Sequence, residues 1–239
     1  MKIQDTDVLF QDDYIIAVNK PVDLPIHKND FMPADAPYLT KLVGELTGKS
    51  VFPVHRLDSK TSGVIILAFS REMASELSKQ FEQRKVKKAY AIVCKDKPGE
   101  GTWDNPVLIK KKKKRVKALT KYKTIKSIDT NISYKKVENV GLSLVMAYPE
   151  TGRWHQLRQH FAFGRFDILG DTQHGDWTLN RIMTEHTDVK RLLLHASSLT
   201  FTHPVSNDEM TIKSTLPEEF ERVLSQLNGL ELQYVEPTK

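Results

Sequence analysis

The feature that most constrains this chain is a polar segment followed at once by a strongly apolar one. Residues 55–63 read His-Arg-Leu-Asp-Ser-Lys-Thr-Ser-Gly, and residues 64–69 read Val-Ile-Ile-Leu-Ala-Phe. The apolar run has the length and composition of a buried β-strand, and the polar residues with their closing glycine are typical of a loop. A polar loop on a rigid strand is a common way to build a functional site. The same pattern also fits an ordinary loop that holds an Arg–Asp pair.

The polar segment can be compared with two known signatures. The catalytic loop of protein kinases has the order His-Arg-Asp-Leu and ends on an asparagine. Here Leu57 and Asp58 stand in the opposite order, and the chain has neither a glycine-rich phosphate loop nor an Asp-Phe-Gly segment, which excludes a kinase. The pattern His-Arg-Leu-Asp-x-x-Thr-Ser-Gly instead resembles the signature of the RluA-type pseudouridine synthases at every fixed position.

Two further segments resemble motifs of the same family. Residues 88–93 read Lys-Ala-Tyr-Ala-Ile-Val on a predicted strand, and the resemblance implies that Tyr90 stacks on the target base. A tyrosine on a strand is otherwise more often a core or edge residue. Residues 151–160 read Thr-Gly-Arg-Trp-His-Gln-Leu-Arg-Gln-His, and the last arginine of this family motif is Arg158. The resemblance implies that Arg158 pairs with the catalytic aspartate, whereas alone it would be read as covering apolar surface with its stem.

A fourth segment narrows the resemblance to one branch of the family. Residues 169–181 contain His-Gly-Asp at 174–176 and Asn-Arg at 180–181, and this portion looks most like the tRNA-modifying TruC branch, which acts on uridine 65. The resemblance covers roughly residues 8 to 225. His155 and His160 are five residues apart with no glutamate between them, which is not the spacing of a helical zinc pair.

The resemblance implies an α+β fold, the pseudouridine synthase catalytic fold, with a mixed, largely antiparallel sheet, flanking helices and a central cleft. We expect a single catalytic domain over residues 1–239, without a separate S4-like RNA-binding domain. The local patterns agree with such a fold. They predict a hairpin over 8–18, a helix capped by Ser70, a helix with apolar Trp154, Leu157 and Phe161, a buried strand over 191–196 and a final helix with a capping box at Thr215.

The positive charge of the chain is concentrated in one segment. Residues 84–126 carry 16 Lys or Arg and three Asp or Glu, whereas the whole chain has a net charge of only +6. Six consecutive basic residues at 110–115 would repel one another unless a polyanion screened them. Nucleic acid is the natural candidate, although a solvated loop fits the same run. The predicted RNA-binding or base-flipping residues are His55, Arg56, Lys111, Lys112, Lys113, Lys114 and Arg115.

The resemblance implies a reaction that detaches uracil from its ribose at N1, turns it and reattaches it through C5. Asp58, the only carboxylate in the signature, is implied to act at C1′ as nucleophile or base, and Arg158 would keep it ionised. Tyr90 would hold the loosened base and could assist removal of the C5 proton, while Arg56 would fill the space that the flipped uridine leaves. A covalent adduct and a glycal intermediate both remain open.

Composition bounds the remaining choices. The single cysteine, Cys94, excludes an internal disulfide and a cysteine-ligated metal cluster. No run of eighteen apolar residues and no signal peptide are present, so we expect a soluble, cytoplasmic protein with no membrane contact and no obligate protein partner. The implied isomerisation needs no cofactor or metal. We therefore predict an RNA pseudouridine synthase, an isomerase acting on tRNA. An rRNA uridine as target, or a catalytically silent RNA-binding protein on the same fold, is the alternative.

Overall fold

A computed structural model of the chain describes residues 3–28, 32–109 and 113–234. The described residues form two compact units. The first comprises Met1–Ala89 and His195–Thr215, and the second comprises Tyr90–Leu194 and Leu216–Lys239.

Within the described ranges the chain forms a 3-10 turn at Asp5–Asp7, fourteen strands and five α-helices. The strands are β1 (Val8–Gln11), β2 (Ile15–Lys20), β3 (Phe52–Pro53), β4 (Ser62–Ala68), β5 (Lys87–Lys95), β6 (Glu100–Trp103), β7 (Val107–Ile109), β8 (Lys114–Val116), β9 (Thr120–Asp129), β10 (Asn131–Tyr134), β11 (Gly141–Pro149), β12 (Leu194–Thr202), β13 (Glu209–Lys213) and β14 (Glu231–Tyr234). The helices are α1 (Leu39–Thr47), α2 (Arg71–Glu82), α3 (Gln156–Phe163), α4 (Trp177–Thr187) and α5 (Glu218–Leu227).

The first unit is built on a sheet in the order β1-β2-β4-β12, with β3 paired to β4 and β13 paired to β12. The β4–β12 pair is parallel and the other pairs are antiparallel. All seven residues of β4 are buried, which confirms the predicted buried strand. Helix α2 packs Met73, Leu77 and Phe81 against this sheet, and Ser70 caps it by accepting a hydrogen bond from the Met73 N–H. The hairpin and the helix predicted here are both confirmed.

The second unit contains an antiparallel sheet in the order β5-β11-β9-β6, a separate hairpin of β7 and β8, and a parallel pair of β10 and β14. Helices α4 and α5 bury Leu179, Ile182, Phe220 and Leu224 against one part of its core. Helix α3 packs Phe161 into another part of it, with Ile92 and Val145 of the sheet. The predicted α+β class, with mixed and largely antiparallel sheets, is confirmed.

Several predicted boundaries were wrong. Helix α3 begins only at Gln156, because His155 has a left-handed backbone (φ 50°) that a helix cannot continue through, so Trp154 precedes the helix. The strand predicted over 191–196 begins at Leu194. Helix α5 begins after Pro217 and has no side-chain cap, so the capping box at Thr215 does not form.

The sequence patterns also missed helix α4, which Asp176 caps by accepting hydrogen bonds from the Thr178 and Leu179 N–H groups. Among the described residues, no helix is long and apolar enough to cross a membrane.

Candidate active site

Asp58 lies half-buried in the loop between β3 and β4 of the first unit. Its carbonyl accepts a hydrogen bond from the Thr61 N–H at 3.0 Å, which closes a turn. The fully buried Lys20, at the end of β2, donates from Nζ to the carbonyl of Ser59 at 3.0 Å. It also donates to the carbonyls of Pro21 and Leu24 at 2.8 and 3.0 Å. Lys20 therefore fixes the backbone next to Asp58 to the sheet.

His55 anchors the start of the same loop. Its Nε2 accepts a hydrogen bond from the Ile66 N–H at 3.1 Å, and its ring stacks on Phe81 with the ring centres 4.6 Å apart. Burial, with a smaller contribution from the charge of Lys88, lowers the pKa of His55 to about 3. The imidazole is therefore neutral near pH 7, and its contacts hold the loop on the sheet. Its neighbour Arg56 is exposed, and RNA contacts by both residues stay predictions.

The structure explains why the signature ends in Ser-Gly. Gly63 has φ +109°, and a Cβ there would lie 2.2 Å from the carbonyl oxygen of Ala196 on β12. Only glycine allows this close approach of the two parallel strands. Beside it, the Ser62 hydroxyl is hydrogen-bonded to Nδ1 of the buried His195 at 2.8 Å. The end of the signature therefore joins β4 to β12.

Lys88, at the start of β5, was not singled out from the sequence as a site residue. Burial, with a smaller contribution from Arg84, lowers its pKa to about 8. A lysine with a lowered pKa inside a family motif is a candidate for a functional role.

In the second unit, Arg158 on α3 is buried against the carboxylate of Asp171. The Nε group donates to Oδ2 and the Nη2 group donates to Oδ1, both at 2.7 Å. The same carboxylate accepts the N–H groups of Gln173 and His174 at 2.9 and 3.0 Å. Burial by itself raises the pKa of Asp171, but these hydrogen bonds and the charge of Arg158 outweigh it and hold the pKa below its ordinary value. The pair is therefore ionised at neutral pH.

Arg158 makes a third contact, with a pair of hydrogen-bonded histidines. Its Nη1 group donates to Nε2 of His155 at 2.8 Å, and Nδ1 of His155 lies 3.0 Å from Nε2 of His174. The ring of Trp154 stacks on His155, with the ring centres 3.8 Å apart. Arg158 is thus held by a carboxylate on one side and by an aromatic and histidine cluster on another.

The branch-specific segment 169–181 holds Asp171 in place. Asn180 accepts a hydrogen bond from the Gly170 N–H at 2.7 Å and donates to the Asp171 carbonyl at 2.9 Å. Asp176, which caps α4, also accepts a hydrogen bond from the Tyr134 hydroxyl at 2.9 Å. The sequence analysis did not single out Asp171, and its position in the segment 169–181 was the one signal that could have found it.

Tyr90 lies on β5, opposite Ala147 of β11, and is half-buried. It packs against the core cluster that contains Leu157 and Phe161 of α3. Part of its side chain is therefore supported by the core. Stacking on a base stays a prediction.

Strands β7 and β8 form a hairpin that carries part of the basic run 110–115. Lys110, Lys111 and Lys112 lie outside the described residues, while Lys113, Lys114 and Arg115 are exposed. Gln159 of α3 binds the hairpin by accepting from the Leu108 N–H at 2.8 Å and donating to the Leu108 carbonyl at 3.2 Å.

The neighbouring basic residues on β9 differ from those of the hairpin. Lys121, Lys123 and Lys126 pair with Glu150, Glu100 and Glu221, respectively. Within the described ranges, Lys113 and Lys114 have no carboxylate partner. The positive charge of Lys113 and Lys114 is therefore less neutralised than that of the β9 lysines, as expected for a surface that binds phosphates.

The predicted site residues are divided between the two units. Asp58, His55 and Arg56 belong to the first, and Tyr90 and Arg158 to the second. Their joint action on one base, and the pairing of Arg158 with Asp58, stay predictions. Among the described residues, no group of three or more His, Cys, Asp or Glu is arranged to hold a metal ion.

Comparison with known proteins identifies the class to which this fold and these motifs belong. The sequence profile of a family described as RNA pseudouridylate synthase matches residues 14–163. The chain belongs to the RNA pseudouridylate synthase family. Pseudouridine synthases are isomerases, so the prediction of an isomerase of this family is confirmed.

Relatives extend the similarity over nearly the whole chain. A protein of Pasteurella multocida named tRNA pseudouridine synthase C is 38% identical over 225 residues, covering 90% of this chain and 93% of the relative. A protein of the same name from Haemophilus influenzae is 34% identical and covers 92% of this chain and 97% of its own. The solved structure of human RNA Pseudouridylate Synthase Domain Containing 4 has a TM-score of 0.69 and 27% identity, over 93% of both chains.

Proposed function

We propose that this protein is a tRNA pseudouridine synthase that isomerises a uridine of the T stem, uridine 65. The observation that carries the proposal is the match over nine-tenths of the chain to relatives named tRNA pseudouridine synthase C. The portion with His-Gly-Asp at 174–176 and Asn-Arg at 180–181, which resembles the same branch, also supports it.

In the proposed reaction the N1–C1′ bond of uridine breaks, the uracil turns, and a C5–C1′ bond forms. The C5 proton is lost and N1 takes up a proton, so the atoms of the nucleotide are unchanged in number. Asp58 is the proposed nucleophile or base at the ribose. Lys20 and His55 fix the backbone of its loop before the RNA binds.

The other proposed roles follow the family motifs. Tyr90 stacks on the loosened base and assists removal of the C5 proton. Arg158 supplies the positive charge that keeps Asp58 ionised, and Arg56 occupies the space left by the flipped uridine. In this proposal the two units act as one catalytic domain, and Lys113, Lys114 and Arg115 of the hairpin bind the RNA backbone. The protein acts in the cytoplasm with RNA as its partner.

The test is to incubate the protein with total tRNA and rRNA that lack the modification and to map the pseudouridines formed. New pseudouridine at position 65 of tRNA is the expected result. Pseudouridine formed only in rRNA would support the proposed reaction but contradict tRNA as the substrate. RNA binding without any pseudouridine would favour a catalytically silent RNA-binding protein.

The matched control is Asp58→Asn, which keeps the size of the side chain and removes its charge. We expect this variant to form no pseudouridine while melting at the wild-type temperature and binding tRNA with wild-type affinity. An Asp58→Asn protein that still turns over would contradict the assigned mechanism.

A further inference from the structure

In the cluster formed by Arg158, His155 and His174, the hydrogen bonds determine which nitrogen donates and which accepts. An arginine side chain has only donors, so the Nη1 group must donate to Nε2 of His155, at 2.8 Å. Nε2 of His155 is therefore an unprotonated acceptor. In a neutral imidazole the proton must then sit on Nδ1, which lies 3.0 Å from Nε2 of His174. His155 donates there, so Nε2 of His174 is also an acceptor.

The contacts require both histidines to be neutral. A proton on Nε2 of His174 would face the Nδ1–H of His155, and a proton on Nε2 of His155 would face Arg158. Charged groups beside the cluster include Arg158 on α3, the carboxylate of Asp171 and, on β8, Arg115, which lines the same cavity as His174. Asp171 is engaged by Arg158 through both oxygens.

We propose that His155 and His174 are positioning residues, a two-histidine relay that sets the rotation of the Arg158 guanidinium for the reaction. The proposal rests on the proposed function in one respect, since it takes Arg158 to serve catalysis. Asp171 binds the Nε edge of the guanidinium, and the relay binds Nη1. Together these contacts fix the guanidinium plane from two directions.

The relay gives a reason for the histidine of the branch-specific segment. The backbone N–H of His174 donates to Asp171, which fixes that backbone 3.0 Å from the carboxylate that Arg158 binds. The His174 side chain is hydrogen-bonded to His155, which contacts the same arginine. One residue thus couples both sides of the guanidinium.

The first test observes the relay itself and does not depend on activity. Nitrogen-15 NMR of the histidine rings in the wild-type protein at pH 7.5 should show His155 neutral and protonated on Nδ1, with Nε2 of His174 unprotonated. A His155 ring protonated on Nε2, or a charged ring at either position, would overturn the relay. This outcome is separate from the fate of the proposed function, which fails if the wild-type protein forms no pseudouridine at position 65 of tRNA.

The second test compares His174→Ala with His174→Gln. The glutamine oxygen can take the place of Nε2 as acceptor from His155, whereas alanine removes the acceptor. In single-turnover assays at saturating tRNA we expect the alanine variant to react about tenfold slower or more, with tRNA affinity within about twofold of wild type. The glutamine variant should recover most of the rate.

The pH profile distinguishes positioning from packing. Protonation breaks the wild-type relay at acid pH, whereas the amide introduced by His174→Gln cannot be protonated in this range, so that variant should shift or flatten the acid limb of the rate profile. A wild-type rate for His174→Ala, or equal rate losses in both variants, would contradict the proposal. So would an acid limb that is unchanged in His174→Gln.

Discussion

The guanidinium of Arg158 and the carboxylate of Asp171 form a two-bond ion pair in the core of the second unit. Both N–O distances are 2.7 Å, and the two side chains are only 5% and 1% exposed. Paired contacts of this geometry are among the strongest hydrogen bonds in proteins. Because burial withholds water from both groups, breaking the pair by removing one partner is strongly destabilising.

The first prediction concerns this pair. Asp171→Asn should lower the free energy of unfolding by about 3–5 kcal/mol, because it removes one charge of a buried ion pair and leaves the other in place. Urea denaturation at pH 7.5 measures the change. The control is Asp188→Asn, where the side chain is 86% exposed and pairs with Lys190 at the surface, and where we expect a change of no more than about 1 kcal/mol. Equal losses of unfolding free energy in the two variants would contradict a larger contribution from the buried pair.

The second prediction concerns the glycine of the signature. Gly63→Ala should destabilise the fold by about 2 kcal/mol or more, because the new Cβ would collide with the carbonyl of Ala196 at a positive φ. Gly99 also has a positive φ (+74°), but a Cβ there would have no atom within 4 Å. Gly99→Ala should therefore cost only about 1 kcal/mol, the backbone strain alone. Thermal or urea unfolding would compare the two, and similar costs would contradict the close approach.

The third prediction is a pH dependence of stability. His55 has a folded pKa of about 3, whereas an unfolded histidine titrates near pH 6.5, its ordinary pKa. Its contribution is complete above about pH 6.5 and is lost as the pH falls towards 3, because only the unfolded chain takes up the proton there. Between pH 7.5 and pH 5, His55→Gln should therefore lose less stability than wild type, by about 1–2 kcal/mol.

The control for this pH dependence is His186→Gln, at an exposed histidine at the end of α4. It should follow the wild-type curve. If both variants, or neither, departed from wild type, the assigned role of His55 would be wrong.

The fourth prediction separates chemistry from binding at Tyr90. Tyr90→Leu keeps an apolar side chain on β5 but removes the aromatic face and the hydroxyl, so it should slow the single-turnover rate more than it weakens tRNA binding. Tyr90→Phe keeps the face and isolates the hydroxyl. Equal losses in rate and affinity for the leucine variant would make Tyr90 a packing residue only.

The fifth prediction concerns the basic hairpin. Replacing Lys113 and Lys114 with alanine should weaken tRNA binding and reduce the slope of log affinity against log salt by about one to two. The matched control replaces Lys121 and Lys123 on β9, which already pair with carboxylates and should change the slope less. An unchanged slope in the hairpin variant would favour the alternative, in which the basic residues 110–115 form a solvated loop that does not bind RNA.

Much of the fold could be predicted because its signals are local. The buried strand β4 follows from an uninterrupted apolar run, and α2 follows from a cap and an apolar stripe at helical spacing. The family followed from motifs of fixed spacing, and the profile match confirmed it. Both kinds of signal are contained within about fifteen neighbouring residues.

The sequence by itself determined the type of the strands and helices that have strong local patterns, the family and the residues that its motifs contain. Only the tertiary structure decided that Asp171 binds Arg158, that His174 binds His155 beside the same guanidinium and that Gly63 must lack a side chain next to Ala196. The physical reason is that each of these contacts joins segments that lie apart in the sequence. Which segments meet is determined by the packing of the whole core, and no local periodicity records it.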